Sequence, residues 1–295
     1  MPKREPKNVE TAYGLDIVVQ GENPTIDIVA IHGLNGHREK TWRAKNGVNW
    51  LRDFVPNVLP NARVLSWGYA ARTHGAPSLD KTYLYDHGGT RRPIIFIAHS
   101  LGGIILKSAL FHAATASPGS HPEHRSIKLS TYGIIFLGTP HQGASGAKLG
   151  QVVANVASLF VEADDRLLKR LEPDSEWLQQ QQQQYATIGA DFVTKLCYEE
   201  YPTPTALGHE IMVVPKQSAV VPELAAAETV VIHANHKNMV KYASKEDENF
   251  GIVSKMLQSM AQNAASVVLE NWEIEARMNA GTVTYKTQSL NMPLT

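Results

Sequence analysis

Cysteine is the scarcest residue in this sequence, because Cys197 is the only one among 295 residues. A lone cysteine can form neither an internal disulfide nor a cysteine-based zinc cluster. Disulfide-stapled secreted domains and zinc-finger-like modules are therefore excluded. A single reduced thiol suits a reducing compartment, so we expect an intracellular location.

An excess of charge of either sign is also missing, because 28 Lys and Arg residues balance 28 Asp and Glu residues. Proteins that bind a polyanion through its phosphates need an excess of positive charge. We therefore expect no nucleic acid partner, and no strong electrostatic attraction to an anionic membrane.

Long apolar runs are absent as well. Residues 1–10 are basic, but no apolar stretch follows them, as a secretory signal would require. The longest apolar segment, 102–114, is interrupted by Lys107 and His112 and is shorter than the ~20 residues that cross a bilayer. We predict no secretion, no membrane span and a cytoplasmic location. Peripheral association, including with mitochondrial or endoplasmic reticulum membranes, stays open.

Apolar residues make up 43% of the chain, which is enough to bury one large core. Continuous apolar runs without alternation are typical of parallel strands that are covered on both faces. Together with helical stretches at 103–114 and 147–171, such runs predict an α/β fold, a mostly parallel sheet with helices on both faces. Four clear runs are each followed by a glycine-containing turn, and three later ones are less regular: 26–31, 62–67, 93–98 and 132–137, then 192–198, 211–215 and 229–233.

The chain reads as one domain, since no repeat and no Pro- or Ser-rich linker divides it. We expect an N-terminal extension over 1–23, the domain over 24–278 and a polar, mobile tail over 279–295. Residues 142–190 form the expected lid. An apolar stripe in that lid is expected to belong to the core or to line an acyl-chain pocket: Val152, Val153, Val156, Leu159, Phe160 and Val161.

The chemistry is concentrated in Ala98-His99-Ser100-Leu101-Gly102-Gly103, which joins an apolar strand to a helix. This is the context of a nucleophile elbow, in which a serine sits on a sharp, strained turn. Small residues are needed two positions before and after the serine, and Ala98 stands where glycine is usual. Ser100 could also be a helix N-cap, but a cap does not explain the surrounding pattern. We predict that Ser100 is the nucleophile and that His99 points away from it.

A serine nucleophile needs a base that is oriented by a carboxylate, and in the α/β-hydrolase order the histidine comes last. His233 and His236 both follow a late strand, but His236 lies in the loop beyond it and is the better candidate. For the carboxylate, Glu199 is the first choice because it directly follows strand 192–198, which Pro202 stops. Glu210 and Glu200 stay open as alternatives.

The oxyanion formed by serine attack needs backbone N–H donors. In this order of elements, one comes from the residue after the nucleophile and the other from the loop after the first core strand. These donors are predicted to be the amides of Leu101 and Leu34.

On these residues the sequence resembles the serine-lipase-like α/β-hydrolases that form N-terminal domains of fungal NOD-like receptors and that occur in a mitochondrial lipid-remodelling protein. The resemblance runs from about residue 24 to 254 and is carried by several separate stretches: 27–35, 41–42, 50–54, 59–64, 96–103, 136–143, 198–199, 214–219 and 235–247.

The resemblance implies an α/β-hydrolase fold and a hydrolase of carboxylic esters, a lipase or phospholipase, that works through a Ser-His-acid triad and an acyl-enzyme. It implies an ester or lipid substrate, no cofactor and no metal, and signalling partner domains that act in trans. One departure favours a different function. The family has a long crossover helix where residues 72–92 contain Gly75, Pro77, Gly88 and Gly89. The alternative is therefore a weak or inactive hydrolase-fold module that serves protein interaction.

Overall fold

The structure is a computed structural model that describes residues 14–69, 91–116, 122–141, 152, 155–156, 159, 176–205, 208–220 and 226–290. The strands in this part of the chain are β1 Gly14–Val19, β2 Ile26–Ile31, β3 Ala62–Gly68, β4 Ile94–His99, β5 Thr131–Leu137, β6 Val193–Glu199, β7 Thr203–Pro204, β8 Glu210–Ile211 and β9 Glu228–Ile232. The helices are α1 Trp50–Asp53, α2 Val55–Val58, α3 Gly102–Thr115, α4 Pro122–Ser130, α5 Glu176–Ala186, α6 Lys216–Ala219 and α7 Glu248–Leu290.

A mostly parallel sheet forms the centre of the molecule. Within the ranges described, seven strands lie in the order β1-β3-β2-β4-β5-β6-β9. β1 is antiparallel to β3, and the other neighbours are parallel. Parallel strands need crossover connections that cover the sheet. The carboxyl ends of β2, β4, β5, β6 and β9 therefore meet at one edge, where ligand chemistry in such sheets is found.

The two faces of the sheet bury separate apolar cores, because successive side chains of a strand point to opposite faces. In β4, Ile95 and Ile97 pack with residues of α1, α2 and α7 on one face. Ile94 and Phe96 pack with residues of α3 and α5 on the other face. Every residue of β2, β3, β4 and β5 is buried. The four clear apolar runs, and the α/β class predicted from them, are confirmed.

Three expectations from the sequence differ from the structure. The extension 1–23 contains β1, whose residues Gly14–Val19 form the antiparallel edge of the sheet. The polar stretch 279–290 continues α7, because adding a residue to an existing helix needs only one more backbone hydrogen bond and no apolar period. The run 211–215 does not form a strand of the main sheet. Only Glu210 and Ile211 are extended, and they pair with β7.

Two other expectations fall mainly outside the residues that the structure describes. These are the short crossover, of which only residues 91 and 92 are described, and the 142–190 lid, of which residues 152, 155, 156, 159 and 176–190 are described. The alternative function that the crossover favoured therefore stays a prediction. Of the helices that are described, none combines the length and the apolarity that a membrane span would require.

Candidate active site

Ser100 sits on a strained turn between β4 and α3. Its φ of 54° is in the left-handed region, which a non-glycine residue adopts only at a cost of about 1–3 kcal/mol. Two hydrogen bonds hold this turn, one from Ser100 N–H to the Leu137 carbonyl (2.9 Å) and one from the Thr139 hydroxyl to the Ser100 carbonyl (3.0 Å). A strained serine at the end of a central strand has the geometry that the nucleophile-elbow sequence predicts.

The turn is tight enough to require glycine directly after it. A Cβ placed on Gly102 would lie 2.2 Å from the carbonyl oxygen of His32, and one on Gly103 would lie 2.3 Å from Thr139 Oγ1. Real Cβ atoms essentially never come this close to other heavy atoms. The two glycines therefore let α3 begin directly against the β2 and β5 loops.

The structure brings the three predicted side chains into one chain of hydrogen bonds. Ser100 Oγ lies 2.9 Å from His236 Nε2, and His236 Nδ1 lies 2.8 Å from Glu199 Oε2. All three residues are buried, with exposures of 2%, 1% and 1% respectively. Because a carboxylate only accepts hydrogen bonds, Nδ1 carries the imidazole proton, and Nε2 accepts a hydrogen bond from the serine hydroxyl.

Each of these side chains comes from the carboxyl end of a different strand. Ser100 follows β4, Glu199 is the last residue of β6, and His236 lies in the loop after β9. The second carboxylate oxygen, Glu199 Oε1, accepts the Val214 N–H at 2.8 Å. The backbone of His236 is held in turn, since its N–H donates to Thr203 Oγ1 at 3.1 Å.

The loop that carries His236 is also fastened to the first part of the chain. Lys241 Nζ donates to the carbonyl oxygens of Lys40, Thr41 and Arg43 at 2.8, 3.0 and 3.2 Å. The Trp50 indole N–H donates to the Val240 carbonyl at 2.9 Å. These bonds fix the backbone on the carboxyl side of His236.

His99 is adjacent to the serine but belongs to its support. Its Nε2 lies 3.0 Å from the His236 carbonyl oxygen, so this nitrogen carries the proton and donates it. Burial, followed by the proximity of His236, lowers the pKa of His99 well below its usual value. His99 is therefore a neutral ring that holds the backbone of the histidine beside Ser100, in agreement with the orientation predicted for it.

The alternative residues lie elsewhere. Glu200 is exposed and pairs with His233 Nδ1 at 2.7 Å. This hydrogen bond lowers the pKa of Glu200 and raises that of His233. Glu210 is exposed on the two-residue strand β8. The carboxylate that reaches His236 is that of Glu199.

The predicted oxyanion donors flank Ser100. Leu101 follows the serine directly, and the loop that carries Leu34 passes over it, since a Cβ on Gly33 would lie 2.8 Å from Ser100 Cβ. Within the described part of the chain, neither the Leu34 N–H nor the Leu101 N–H donates a hydrogen bond. Both residues are buried. Buried amides usually have partners, so two unpaired amides beside a serine suit a site that receives a negatively charged oxygen.

Some supporting groups have no signal in the sequence. Thr203 and the Val214 amide contact the site only because the fold brings distant segments together. Among the residues that the structure describes, no group of three or more His, Cys, Asp or Glu side chains could hold a metal ion.

The chain has relatives among curated proteins. No protein-family model matches the chain. The chain is 28% identical over 256 residues to Protein SERAC1 of Danio rerio, covering 75% of this chain and 37% of that protein. It is 25% identical over 252 residues to Protein SERAC1 of Homo sapiens, covering 75% of this chain and 36% of that protein. The chain thus spans little more than a third of the length of these curated relatives.

Among solved structures, a hydrolase from Oleispira antarctica is similar with a TM-score of 0.45 and 11% identity, over 87% of this chain and 97% of that one. The parallel strand order and the strained Ser100 turn are those of an α/β-hydrolase fold, and the chain is similar in sequence to SERAC1.

Proposed function

We propose that this chain is a serine hydrolase that cleaves carboxylic esters through Ser100, His236 and Glu199. The observation that carries the proposal is the buried hydrogen-bond chain from Ser100 Oγ through His236 to Glu199, with distances of 2.9 and 2.8 Å. A serine hydroxyl is a weak nucleophile until a base within hydrogen-bond reach accepts its proton. The histidine is such a base, and the carboxylate holds it in the required tautomer.

In the first half of the reaction, Ser100 Oγ bonds to the ester carbonyl carbon while its proton passes to His236 Nε2. The carbonyl π electrons move to oxygen, and the resulting oxyanion accepts hydrogen bonds from the Leu34 and Leu101 amides. When the carbonyl re-forms, the bond to the alcohol oxygen breaks, and the alcohol leaves with the proton from His236. In the second half, water attacks the acyl-serine and repeats these steps, which releases the acid and restores Ser100.

Glu199 is well placed to stay an acceptor throughout. Its Oε1 is already occupied by the Val214 N–H, so Oε2 is left to the imidazole. When Nε2 takes the serine proton, the ring becomes an imidazolium with a carboxylate 2.8 Å from Nδ1. The carboxylate therefore stabilises the imidazolium that forms during the reaction.

We propose further that the acyl group is a fatty chain, as in a lipase or a phospholipase. A buried apolar cluster includes both oxyanion-donor residues and three residues of the predicted lid stripe. Its members are Leu34, Leu101, Ile104, Val152, Val156, Leu159, Val213, Val214 and Ala219. An acyl chain that leaves the carbonyl carbon at Ser100 would meet apolar side chains there.

A fluorophosphonate probe tests the nucleophile directly, because it phosphonylates only an activated serine. We expect one labelled site, at Ser100, and loss of both the label and ester hydrolysis in Ser100→Ala. Ser254→Ala is the matched control, because Ser254 Oγ bonds within α7 to the Gly251 carbonyl. The probe should label Ser254→Ala to the same extent as the wild type. A folded wild-type protein that takes no label, or that is labelled at another residue, would overturn the proposal.

A further inference from the structure

His32 is a buried histidine that the reaction above does not use. It follows β2, and its ring stacks on Tyr69 with the centroids 4.4 Å apart and the planes 7° apart. His32 Nδ1 lies 2.8 Å from the Gly33 carbonyl oxygen, and the Tyr69 N–H points to Nε2 at 3.4 Å. The Tyr69 hydroxyl donates to the His32 carbonyl at 2.9 Å. Tyr69, which directly follows β3, therefore contacts both the ring and the backbone of His32.

These contacts determine where the ring proton sits. A carbonyl oxygen can only accept, so Nδ1 carries the proton, and a backbone N–H can only donate, so Nε2 offers its lone pair. Burial lowers the pKa of His32 to about 4. The ring is therefore neutral at neutral pH, as the contact between Nε2 and the Tyr69 amide requires.

The bond from Nδ1 reaches the peptide group that carries a predicted oxyanion donor. The Gly33 carbonyl and the Leu34 N–H belong to the same peptide, which is planar and trans, so they point in opposite directions. The Gly33 oxygen also accepts the Gly36 N–H at 3.1 Å. With both lone pairs of this carbonyl occupied, the direction of the Leu34 N–H is fixed.

The glycines of the loop make room for this arrangement. A Cβ on Gly36 would lie 2.7 Å from His32 Nδ1, where the ring now sits. A Cβ on Gly33 would lie 2.8 Å from Ser100 Cβ and 3.3 Å from Ser100 Oγ. The segment His32-Gly33-Leu34-Asn35-Gly36 thus brings one peptide close to the serine and lets one imidazole hold it.

We propose that His32 is a positioning residue that aims the Leu34 N–H at the oxyanion by holding the Gly33 carbonyl. The inference rests on the proposed function and names the group that pre-organises its oxyanion site. Removing one oxyanion donor typically lowers kcat by about 10²–10³-fold. Loss of the orienting bond leaves the donor present but free to turn. We therefore expect a smaller decrease in kcat, of about 10–100-fold.

Three variants of His32 separate the bond from the packing. His32→Asn places an amide N–H near the position of Nδ1 and keeps the donor to Gly33. His32→Gln has its amide one bond farther out and loses that donor. His32→Phe keeps a ring against Tyr69 but has no polar atom. Each is assayed on a soluble p-nitrophenyl ester, with kcat normalised to the sites that a fluorophosphonate titrates, and with the Ki of a trifluoromethyl ketone, whose adduct with serine carries a negatively charged oxygen.

For the Gln and Phe variants we expect kcat to fall about 10–100-fold, KM to change less than about 3-fold, and the Ki of the ketone to rise by the same factor as kcat falls. The Asn variant should stay within about 5-fold of wild type. A merely structural role would change the melting temperature and the titratable fraction without this parallel. Equal losses in the Asn and Phe variants, or an unchanged ketone Ki, would overturn the inference.

A measurement without catalysis separates this inference from the proposed function. In protein labelled with ¹⁵N-histidine, NMR should find the proton of His32 on Nδ1 and none on Nε2. The opposite tautomer would overturn the role of His32 even in an active enzyme. Absence of Ser100-dependent hydrolysis in the wild type would overturn the proposed function, and this inference with it, whatever the tautomer.

Discussion

Two adjacent glutamates at the end of β6 show how strongly a single position determines the environment of a side chain. Glu199 is buried and accepts hydrogen bonds from His236 and from the Val214 amide. Glu200 is exposed and pairs with His233 across the surface. The pleat of the strand turns consecutive side chains to opposite sides. Only the first of the two glutamates can therefore orient the proposed base.

We predict that Glu199→Gln lowers kcat on a soluble ester by about 10³–10⁴-fold, since an amide in place of the orienting carboxylate favours the wrong imidazole tautomer. The side chain keeps its size, so the protein should still fold. Steady-state kinetics together with a melting curve measure the two effects separately.

The matched controls are Glu200→Gln and Glu210→Gln, whose carboxylates are exposed and do not contact His236. Both should retain kcat within about 3-fold, because exposed ion pairs contribute little. A loss in Glu210→Gln as large as that expected for Glu199→Gln would show that the carboxylate has been assigned to the wrong residue.

The functional residues that could be predicted from the sequence are those whose signal lies in neighbouring residues of the chain. Ser100 is recognisable because strand, turn and glycines are contiguous. His236 and Glu199 were predicted from their positions after late strands. Glu200 and Glu210 stayed open as alternatives, because the sequence does not show which of these carboxylates is buried. Thr203 and the bond from His32 to Gly33 were missed, because partners of this kind depend on tertiary contacts and on ring orientation.

At the scale of elements, the ends of the parallel strands form the proposed site. The buried apolar cluster that includes Leu34 and Leu101 forms an apolar wall beside it. Val213 and Val214 illustrate this. Their apolar run resembled a strand, but they are buried in the cluster with Leu34 and Leu101. The run 211–215 was therefore wrongly predicted as a strand. An apolar run indicates that its residues are buried, but it does not show whether they lie in a sheet or in another apolar cluster.

If this apolar wall holds an acyl chain, chain length should matter. Each buried methylene contributes up to about 0.8 kcal/mol, so kcat/KM should rise from acetyl through butyryl to octanoyl esters. The series is measured on soluble substrates below their micellar concentrations. A flat or falling series would leave the ester hydrolase intact and would contradict the fatty-chain substrate.

The elements themselves were predicted where burial is two-sided. β2 to β5 are buried along their whole length and read as unbroken apolar runs. β1 was missed because it is a half-exposed edge strand, and an edge strand needs apolar residues on one face only. The end of α7 was missed because the polar residues that continue a helix carry no apolar period.

The molecule as a whole keeps several histidines neutral inside its core. Burial lowers the pKa of His32 to about 4, and it lowers the pKa values of His99 and His141 well below the usual value. In the unfolded chain each of these rings takes up a proton as the pH falls below about 6.5. Unfolding is then coupled to proton uptake, and the folded state loses stability toward acid.

We therefore predict that the free energy of unfolding, measured with urea, decreases steadily from pH 7 to pH 5. For His32 alone, the full loss between about pH 6.5 and its folded-state pKa is about 3 kcal/mol. His141→Asn, which cannot be protonated, should flatten the dependence. His112→Asn, at an exposed position on α3, should not. A pH-independent free energy over this range would contradict the neutral, buried state of these rings.

The order of the proposed triad along the chain has a consequence for protein synthesis. Ser100 is translated first, Glu199 follows, and His236 comes 136 residues after the serine. A domain generally folds as a unit once it has left the ribosome. Until then a nascent chain carries a serine without its base, and the bonds from Lys241 to residues 40–43 can form only when the last part of the domain has emerged. By this chain order, the proposed activity can appear only after the whole domain is made.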